Sequence, residues 1–309
     1  MREHFKDGVK LGKTRYGVDI MVKDSQSDAQ RAATVAGDII QRGVDLMLVS
    51  SSPETTNPVS NLCEQRGVPC LSTVTPWQPW FFGRGGDPTT PFQWTAHFFW
   101  GLEDVIRVYE SMWDQVPNNR KIADLLTGVP QPPDFATFWH QAAREGFRPK
   151  VASVGKALLF PAFIEAIGPS ANGLSTEVWW TPSHPFCSSL TGQSAGQLAD
   201  AYTKQTGRQW IQPIGFVHAL FEVALNVLER AGTSDKQAIA QALETTKLRT
   251  IVGPLDWTAG PVHGVAKTPL AGGQWRLGSN HPFELVVVAN GDHPEIPAPG
   301  KLLPIDTAA

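Results

Sequence analysis

Residues 44–80 read VDLMLVSSSPETTNPVSNLCEQRGVPCLSTVTPWQPW, and this stretch decides the fold class. An apolar run over 44–49 precedes a hydroxyl-rich loop over 50–56, and a helical pattern follows over 58–66. A second apolar run over 68–71 leads into another hydroxyl-rich loop over 72–76. Strand, loop, helix, strand and loop in this order predict a parallel βαβ unit.

Both hydroxyl-rich loops are expected at one edge of the sheet, because parallel strands end on the same side, where open α/β sheets bind ligands. Hydroxyls and the free N–H groups of a helix N-terminus donate hydrogen bonds, and the helix dipole favours a negative charge. The stretch therefore predicts a cradle for a carboxylate. Serine and threonine before a helix are also common as helix caps, and the residues alone leave this alternative open.

Length, charge and hydropathy exclude several classes of protein. The 309 residues suffice for two domains or one large one. A net charge of −3 without any basic run gives no electrostatic case for nucleic acid or an anionic membrane. No apolar stretch has transmembrane length, and the polar start MREHFKDG predicts no signal peptide in this chain.

Cysteine and histidine spacing predicts neither a metal site nor a cofactor, because no CxxC or HExxH pattern is present. Cys63 and Cys70 lie at the predicted end of a helix and the start of the next strand, close enough to pair in principle, which would leave Cys187 over. Two buried thiols are at least as good an interpretation, because cysteine packs as a small hydrophobe.

Alternating helix and strand patterns continue along the chain and predict an α/β fold. Residues 1–12 are predicted as the end of a helix, 18–22 as a strand and 77–87 as an aromatic loop. Asp134 is predicted to cap a helix over 135–145. The other predicted elements are helices over 29–41, 101–113, 161–167, 194–205, 213–231 and 235–244, a turn over 118–121, and strands over 94–100, 122–129, 150–155, 174–181, 251–257 and 285–288.

The order of several motifs resembles the type I periplasmic solute-binding proteins of ABC transporters, of the leucine/isoleucine/valine-binding family. The matching pieces are KDSQSDAQRA at 23–32, SSSPETTNP at 50–58, STVTP at 72–76, GFVHALFEVALNVLERAGTSDKQAIAQALE at 215–244, TIVGPLDW at 250–257 and GGQW at 272–275. The resemblance implies an α/β fold of two lobes, with parallel sheets flanked by helices and the ligand held between the lobes. It places residues 1–100 and 213–284 in lobe one, and residues 101–212 in lobe two with 285–309 as a tail that crosses near the hinge.

Two departures from the family pattern predict a truncated version of this fold. The chain starts within what would be the family's first helix, so the resemblance implies that a signal peptide and a first strand are missing. Elements are also missing between Lys121 and the strand that follows it. We therefore expect a short lobe two and a lobe-one sheet that lacks a central strand, which leaves an unpaired position in that sheet.

The resemblance implies that the two hydroxyl-rich loops hold the carboxylate and ammonium of an amino acid, since hydroxyls both donate and accept. Trp77 would wall the cleft and favour an apolar or aromatic ligand, although core packing explains it equally well. In lobe two the loop over 131–135 would close over the ligand. Lys156 would pair with a second acid group of the ligand, and the alternative is that it is an ordinary surface lysine. The expected ligand-binding residues are Ser51, Ser52, Thr55, Thr56, Thr73, Thr75, Trp77, Gln131, Asp134, Phe135 and Lys156.

We therefore expect a solute-binding protein of an ABC importer that captures an apolar or aromatic amino acid, or a related acid, and delivers it to a membrane permease. The resemblance implies that the full-length form is periplasmic or extracellular, without direct membrane insertion. A ligand-sensing receptor domain of the same fold is the alternative, because fold does not fix function. A hydrolase is disfavoured, because no GxSxG, P-loop or GxGxxG motif is present.

Overall fold

The computed structural model describes residues 1–117 and 125–305 and has the α/β fold that the sequence predicts. The helices are α1 Ala29–Gln41, α2 Pro53–Arg66, α3 Trp77–Phe81, α4 Leu102–Trp113, α5 Pro132–Arg144, α6 Pro161–Ile167, α7 Ala195–Thr206, α8 Pro213–Ala231 and α9 Lys236–Glu244. The strands are β1 Val9–Leu11, β2 Thr14–Tyr16, β3 Met47–Ser50, β4 Cys70–Thr73, β5 Thr95–Phe98, β6 Leu125–Gly128, β7 Val151–Val154, β8 Ser175–Val178, β9 Lys247–Thr250, β10 Gly253–Asp256, β11 Val265–Ala266, β12 Ala271–Leu277 and β13 Phe283–Ala289. Short 3₁₀ turns cover Phe82–Arg84, Pro169–Ala171 and Trp257–Ala259.

The chain forms two units, each assembled from separate segments. The first contains Met1–Leu102, Phe186–Gln193 and Gly215–Thr268, and the second contains Glu103–Pro185, Ser194–Ile214 and Pro269–Ala309. Residues 269–284, predicted for lobe one, belong instead to the second unit, because β12 pairs with both β8 and β13. Phe186–Gln193, predicted for lobe two, belongs to the first unit.

The segment Phe186–Gln193 is fixed to α8 by buried polar groups. Ser188 Oγ lies 2.7 Å from His218 Nε2, and the Glu222 carboxylate accepts hydrogen bonds from the backbone N–H groups of Ser189 and Ile251. Burial raises the pKa of Glu222 and lowers that of His218 to about 4. These contacts lie within the first unit and are not visible as a pattern in the sequence.

The sheet of the first unit has the strand order β11-β5-β4-β3 with all strands parallel. Every residue of β4 and β5 is buried, as expected for inner strands of a parallel sheet that is covered on both faces. Helices α1 and α2 pack against this sheet through a cluster of buried residues that includes Ala36, Met47, Val59 and Cys63. Strand β3 is the last strand of the sheet on its side.

The first 22 residues differ from the prediction. Val9–Leu11 and Thr14–Tyr16 form an antiparallel hairpin instead of the end of a helix, with Gly12 at φ 58° in its turn. Val9 and Leu11 are buried because alternate residues of a strand share one face. Residues 18–22 pair with no strand in the described part of the chain, and Val22 is 73% exposed. Only Ile20 of the alternating apolar residues packs into the cluster around Val9 and Leu11.

The loops of the predicted βαβ unit are shorter than expected. Helix α2 begins at Pro53, five residues before the predicted start, because proline suits the first position of a helix. Thr55 and Thr56 therefore lie in its first turn and not in the loop. Strand β4 continues through Thr73, so that residue belongs to the strand.

Three other predicted boundaries also change. Helix α5 begins at Pro132 with Gln131 as its N-cap, so Asp134 lies in the first turn and does not cap the helix. Part of the predicted aromatic loop is helical, as α3 and the following 3₁₀ turn. The predicted strand over 251–257 is instead the second half of the hairpin β9–β10, with 251–252 in its turn.

The sheet of the second unit has the order β13-β12-β8-β7-β6, in which β6, β7 and β8 are parallel and β12 is antiparallel to both neighbours. Helices α6 and α8 begin and end at the predicted residues. The predicted turn over 118–121 and the first part of the predicted strand over 122–129 lie outside the described residues. Within the described residues, every helix is too short or too polar to cross a membrane.

The end of α2 generates a prediction about stability. Gly67 caps the helix at φ 62°, and a Cβ there would lie 3.4 Å from the Trp94 ring. Gly67→Ala should lower the free energy of unfolding by about 1–2 kcal/mol, because an L residue is disfavoured in the left-handed region. Gly37, inside α1, has its nearest neighbour at 3.8 Å, and Gly37→Ala should raise this free energy by about 0.5–1 kcal/mol. Urea denaturation measures both, and effects of the same sign would contradict the assignment of the helix end.

Candidate functional site

The carboxyl edge of the first-unit sheet gathers the two predicted ligand loops. Strands β3 and β4 are parallel neighbours, so the loops that follow them leave the sheet at the same edge. Ser51 and Ser52 connect β3 to α2, and Val74, Thr75 and Pro76 connect β4 to α3. This is the edge at which open α/β sheets bind ligands.

Three threonine hydroxyls hold Ser51 in place. The Oγ1 atoms of Thr56 and Thr75 each donate to the Ser51 carbonyl oxygen at 2.9 Å, and Thr55 Oγ1 donates to Ser51 Oγ at 2.6 Å. Thr75 thereby joins the second loop to the first. The predicted residues of both loops are thus brought together around Ser51.

Four of the six predicted hydroxyls are buried and already donate to protein oxygens. Thr55, Thr56, Thr73 and Thr75 are at most 2% exposed, and Thr73 Oγ1 donates to the Phe98 carbonyl at 2.6 Å. Their contact with a ligand stays a prediction.

The two serines are placed differently from the four threonines. Ser51 and Ser52 are half-buried, and Ser52 is the N-cap of α2 without a capping bond from its side chain. Ser51 Oγ lies 2.6 Å from Thr55 Oγ1, which also reaches the Ser52 carbonyl oxygen at 3.3 Å, so the Ser51 hydroxyl can either accept from Thr55 or donate to it. Ser52 thus occupies the cap position that the alternative predicts, but its side chain makes no capping bond, and its contact with a ligand stays a prediction.

His97 fixes the second loop from within the core. Its Nε2 lies 2.7 Å from the Thr75 carbonyl oxygen, so Nε2 carries the proton, and Nδ1 accepts from Ser72 Oγ at 2.8 Å. The ring is stacked on Trp80 with the centroids 4.8 Å apart. Burial lowers the pKa of His97 to about 3, so the ring is neutral at physiological pH. No pattern in the sequence indicates this role for His97.

Val74 has a strained backbone in the middle of the second loop. Its φ of 70° lies in the left-handed region, which a β-branched residue rarely adopts. Strain of this kind costs on the order of 1–3 kcal/mol and is concentrated at ligand clamps and active sites. Lys156, which follows Gly155 at the end of β7 in the second unit, also has a positive φ, 57°.

Trp77 is mostly part of the core. It packs in a cluster with Trp80, Phe81 and Val265, and its ring centroid lies 5.7 Å from that of Phe82. Only 9% of its surface is exposed. The structure thus favours the packing interpretation for most of this side chain, and its contact with a ligand stays a prediction.

The remaining predicted residues belong to the second unit. Gln131 is exposed and caps α5 without a bond from its side chain, and Asp134 is exposed in the first turn of that helix. Phe135 is buried and stacks on Trp139 at a centroid distance of 5.7 Å. Gln131 and Lys156 follow the parallel strands β6 and β7, so they leave their sheet at the same edge.

Glu177 is a buried carboxyl group that the sequence-based prediction missed. It lies in β8, where Tyr109 Oη donates to it at 2.7 Å, Thr176 Oγ1 at 3.1 Å and the Lys156 N–H at 3.4 Å. Burial raises the pKa of Glu177 and, together with the charge of Glu177, raises that of Tyr109. The available signal was a single acid within the strand predicted over 174–181.

Comparison with known proteins gives both a family and a set of similar structures. The family model for periplasmic binding proteins matches residues 108–281, more than half of the chain. The chain is similar to a leucine-binding protein from Thermotoga maritima MSB8, with 17% identity, a TM-score of 0.68 and coverage of 94% of this chain and 91% of that one. No curated protein sequence matches the chain.

Two similar structures have ligands bound. One is a branched-chain amino acid transporter substrate-binding protein from Streptococcus pneumoniae in complex with isoleucine, at 12% identity, with 91% and 89% coverage and a TM-score of 0.68. The other is a solute-binding protein of an ABC transporter from Rhodopseudomonas palustris BisB5 in complex with 3,4-dihydroxybenzoic acid, at 13% identity, with 96% and 91% coverage and a TM-score of 0.68. At these identities the likeness establishes the fold.

The hydrogen bonds to the Ser51 carbonyl generate a prediction about coupling. Thr56→Val and Thr75→Val each remove one donor and should each lower the free energy of unfolding by about 1 kcal/mol. The double variant leaves the carbonyl with neither hydroxyl and should lose more than the sum of the two. A double-mutant cycle in urea measures this, and strict additivity would show that the two loops are not joined through Ser51.

Glu177 generates a prediction about pH. Because its folded pKa is raised above the ordinary value of 4.5, the folded state binds the proton more tightly than the unfolded state. Its contribution to stability is therefore complete below pH 4.5 and is lost as the pH rises through the folded pKa. Glu177→Gln should remove this part of the profile, and the exposed Glu165→Gln should not. Urea titrations from pH 4 to 9 measure the free energy of unfolding of each variant. If it depends on pH in the same way in the wild type and in Glu177→Gln, the raised pKa of Glu177 is refuted.

Proposed function

Because the chain belongs to the periplasmic binding protein family, we propose that it is the solute-binding component of an ABC importer and captures a small carboxylate-bearing solute outside the cytoplasm. It would deliver this solute to a membrane permease. The similar structures include a leucine-binding protein and complexes with isoleucine and with 3,4-dihydroxybenzoic acid, and all three compounds carry a carboxyl group.

The observation that carries this proposal is the placement of the two serine hydroxyls. Ser51 is held by three threonines, its hydroxyl is half-buried and can donate either to Thr55 Oγ1 or to a ligand, and the Ser52 hydroxyl does not cap the helix. Both lie at the N-terminus of α2, a helix of 14 residues whose dipole favours an anion at this end. A carboxylate oxygen accepts from such donors.

The donors of this site are neutral, which points to a particular class of ligand. Hydroxyls donate to a carboxylate and accept from an ammonium group, so they suit an amino acid as well as a simple acid. Trp77 directly follows the second loop, and the small part of it that is exposed would suit an apolar or aromatic group on the ligand. We therefore propose branched-chain or aromatic amino acids and aromatic carboxylates as the solutes.

The test is a thermal-shift screen with leucine, isoleucine, phenylalanine, benzoate and 3,4-dihydroxybenzoate, followed by calorimetry on each compound that binds. A ligand that binds only the folded state raises the melting temperature as its concentration exceeds Kd. Ser51→Ala and Ser52→Ala should each weaken binding at least about tenfold, because each removes a hydrogen bond to a charged group worth about 1.5 kcal/mol or more.

The matched control is Ser279→Ala, which removes an exposed hydroxyl of the second unit and should leave Kd unchanged. If a carboxylate binds the Ser51→Ala and Ser52→Ala variants as tightly as it binds the wild type, the binding site does not lie at this edge of the sheet. A cooperatively folded protein that responds to no compound of the screen would overturn the proposed class of solute.

A further inference from the structure

Cys63 and Cys70 meet in the core of the first unit. Cys63 lies in the last turn of α2, and Cys70 is the first residue of β4. Both are 0% exposed and belong to one buried cluster, in which α1 and α2 pack against the sheet. The sequence left open whether these two cysteines pair, and the structure holds both as free thiols within one buried cluster.

The backbone between the two cysteines is fixed at both ends. Gly67, at φ 62°, turns the chain back on α2, and the Val68 N–H donates to the Cys63 carbonyl at 3.0 Å. Two residues later the Cys70 N–H donates to the Trp94 carbonyl at 2.8 Å and anchors the start of β4. The chain therefore contacts the backbone of Cys63 at Val68 before it enters the sheet at Cys70.

The Cys70 side chain lies close enough to Cys63 to affect the ionisation of its thiol. The neighbouring Cys70 side chain, and then burial, raise the pKa of the Cys63 thiol far above its usual value. The reactive form of a cysteine is the thiolate, so this thiol is inert once the protein has folded. Cys187, by contrast, is exposed.

We propose that Cys63 and Cys70 form a disulfide when the chain folds in an oxidising compartment. The inference rests on the proposed function, because disulfides form and persist outside the cytoplasm. Each thiol loses its proton, one S–S bond forms, and two electrons pass to the disulfide of an oxidant, which is reduced to two thiols through a mixed disulfide. Because burial suppresses the thiolate, this exchange takes place before α2 packs on the sheet, and the finished bond is then shielded from reductants.

The first experiment is oxidative refolding. The denatured, reduced chain is refolded with a mixture of reduced and oxidised glutathione, denatured again and alkylated without reduction. Trypsin cuts after Arg42, Arg66 and Arg84, so the bond would join peptide 43–66 to peptide 67–84. The expected result is this linked pair together with an alkylated Cys187. Three alkylated cysteines, or a disulfide that includes Cys187, would overturn the proposal.

The timing of the reaction has its own control. Folded, reduced protein placed in the same glutathione mixture should keep Cys63 and Cys70 reduced over the period in which refolding protein oxidises them. Rapid oxidation of the folded protein would refute the argument that burial protects these thiols.

Variants separate this bond from a general effect of reductant. Reduction should lower the melting temperature of the oxidised wild type and of Cys187→Ala, and should leave Cys63→Ala and Cys70→Ala unchanged. Three free thiols in a protein that still binds a carboxylate would remove this inference and leave the proposed function intact. A disulfide in a protein that binds no carboxylate would remove the proposed function and leave the bond.

Discussion

The arrangement of the candidate site depends on one carbonyl oxygen, that of Ser51. It accepts from Thr56 in α2 and from Thr75 in the loop after β4, 24 residues away in the sequence. A carbonyl oxygen has two lone pairs, so these bonds use its full capacity and fix one loop against the other. The backbone that carries Ser51 and Ser52 is thereby fixed before any ligand arrives, and a preorganised site loses less entropy on binding.

The second loop keeps a conformation that its own sequence disfavours. Val74 is strained, and the residues on both sides of it are tied down, Thr73 to the Phe98 carbonyl and Thr75 to His97. Burial holds the pKa of His97 at about 3, so at neutral pH the ring remains a donor at Nε2 and an acceptor at Nδ1. The strain is therefore held by neutral groups, and changes of pH near neutrality leave this support unchanged.

Local signals in the sequence predicted the bounds of several helices. The prediction of strands was limited because strand pairing depends on residues that are distant in the sequence. Helices α6 and α8 have the predicted bounds, because a proline at the first position and regular apolar spacing are both local. Residues 18–22 alternate between apolar and polar as a strand does. A strand also needs a second strand to pair with, and residues 18–22 have none among the described residues. Strand β12 was recognised only as a motif, because its pairing with β8 depends on contacts across about 100 residues of chain, although its pairing with β13 is a local hairpin.

The hydroxyls of the site were predictable as a group but not in their individual roles, because a hydroxyl rotates and can bond to ligand or protein. The division between threonine and serine has a physical basis. Threonine is stiff at χ1, so a buried threonine such as Thr56 or Thr75 holds its proton in one direction and serves as scaffold. Serine carries no methyl group and turns freely, so Ser51 and Ser52 at the half-buried edge can adjust their protons to a carboxylate of either proposed kind.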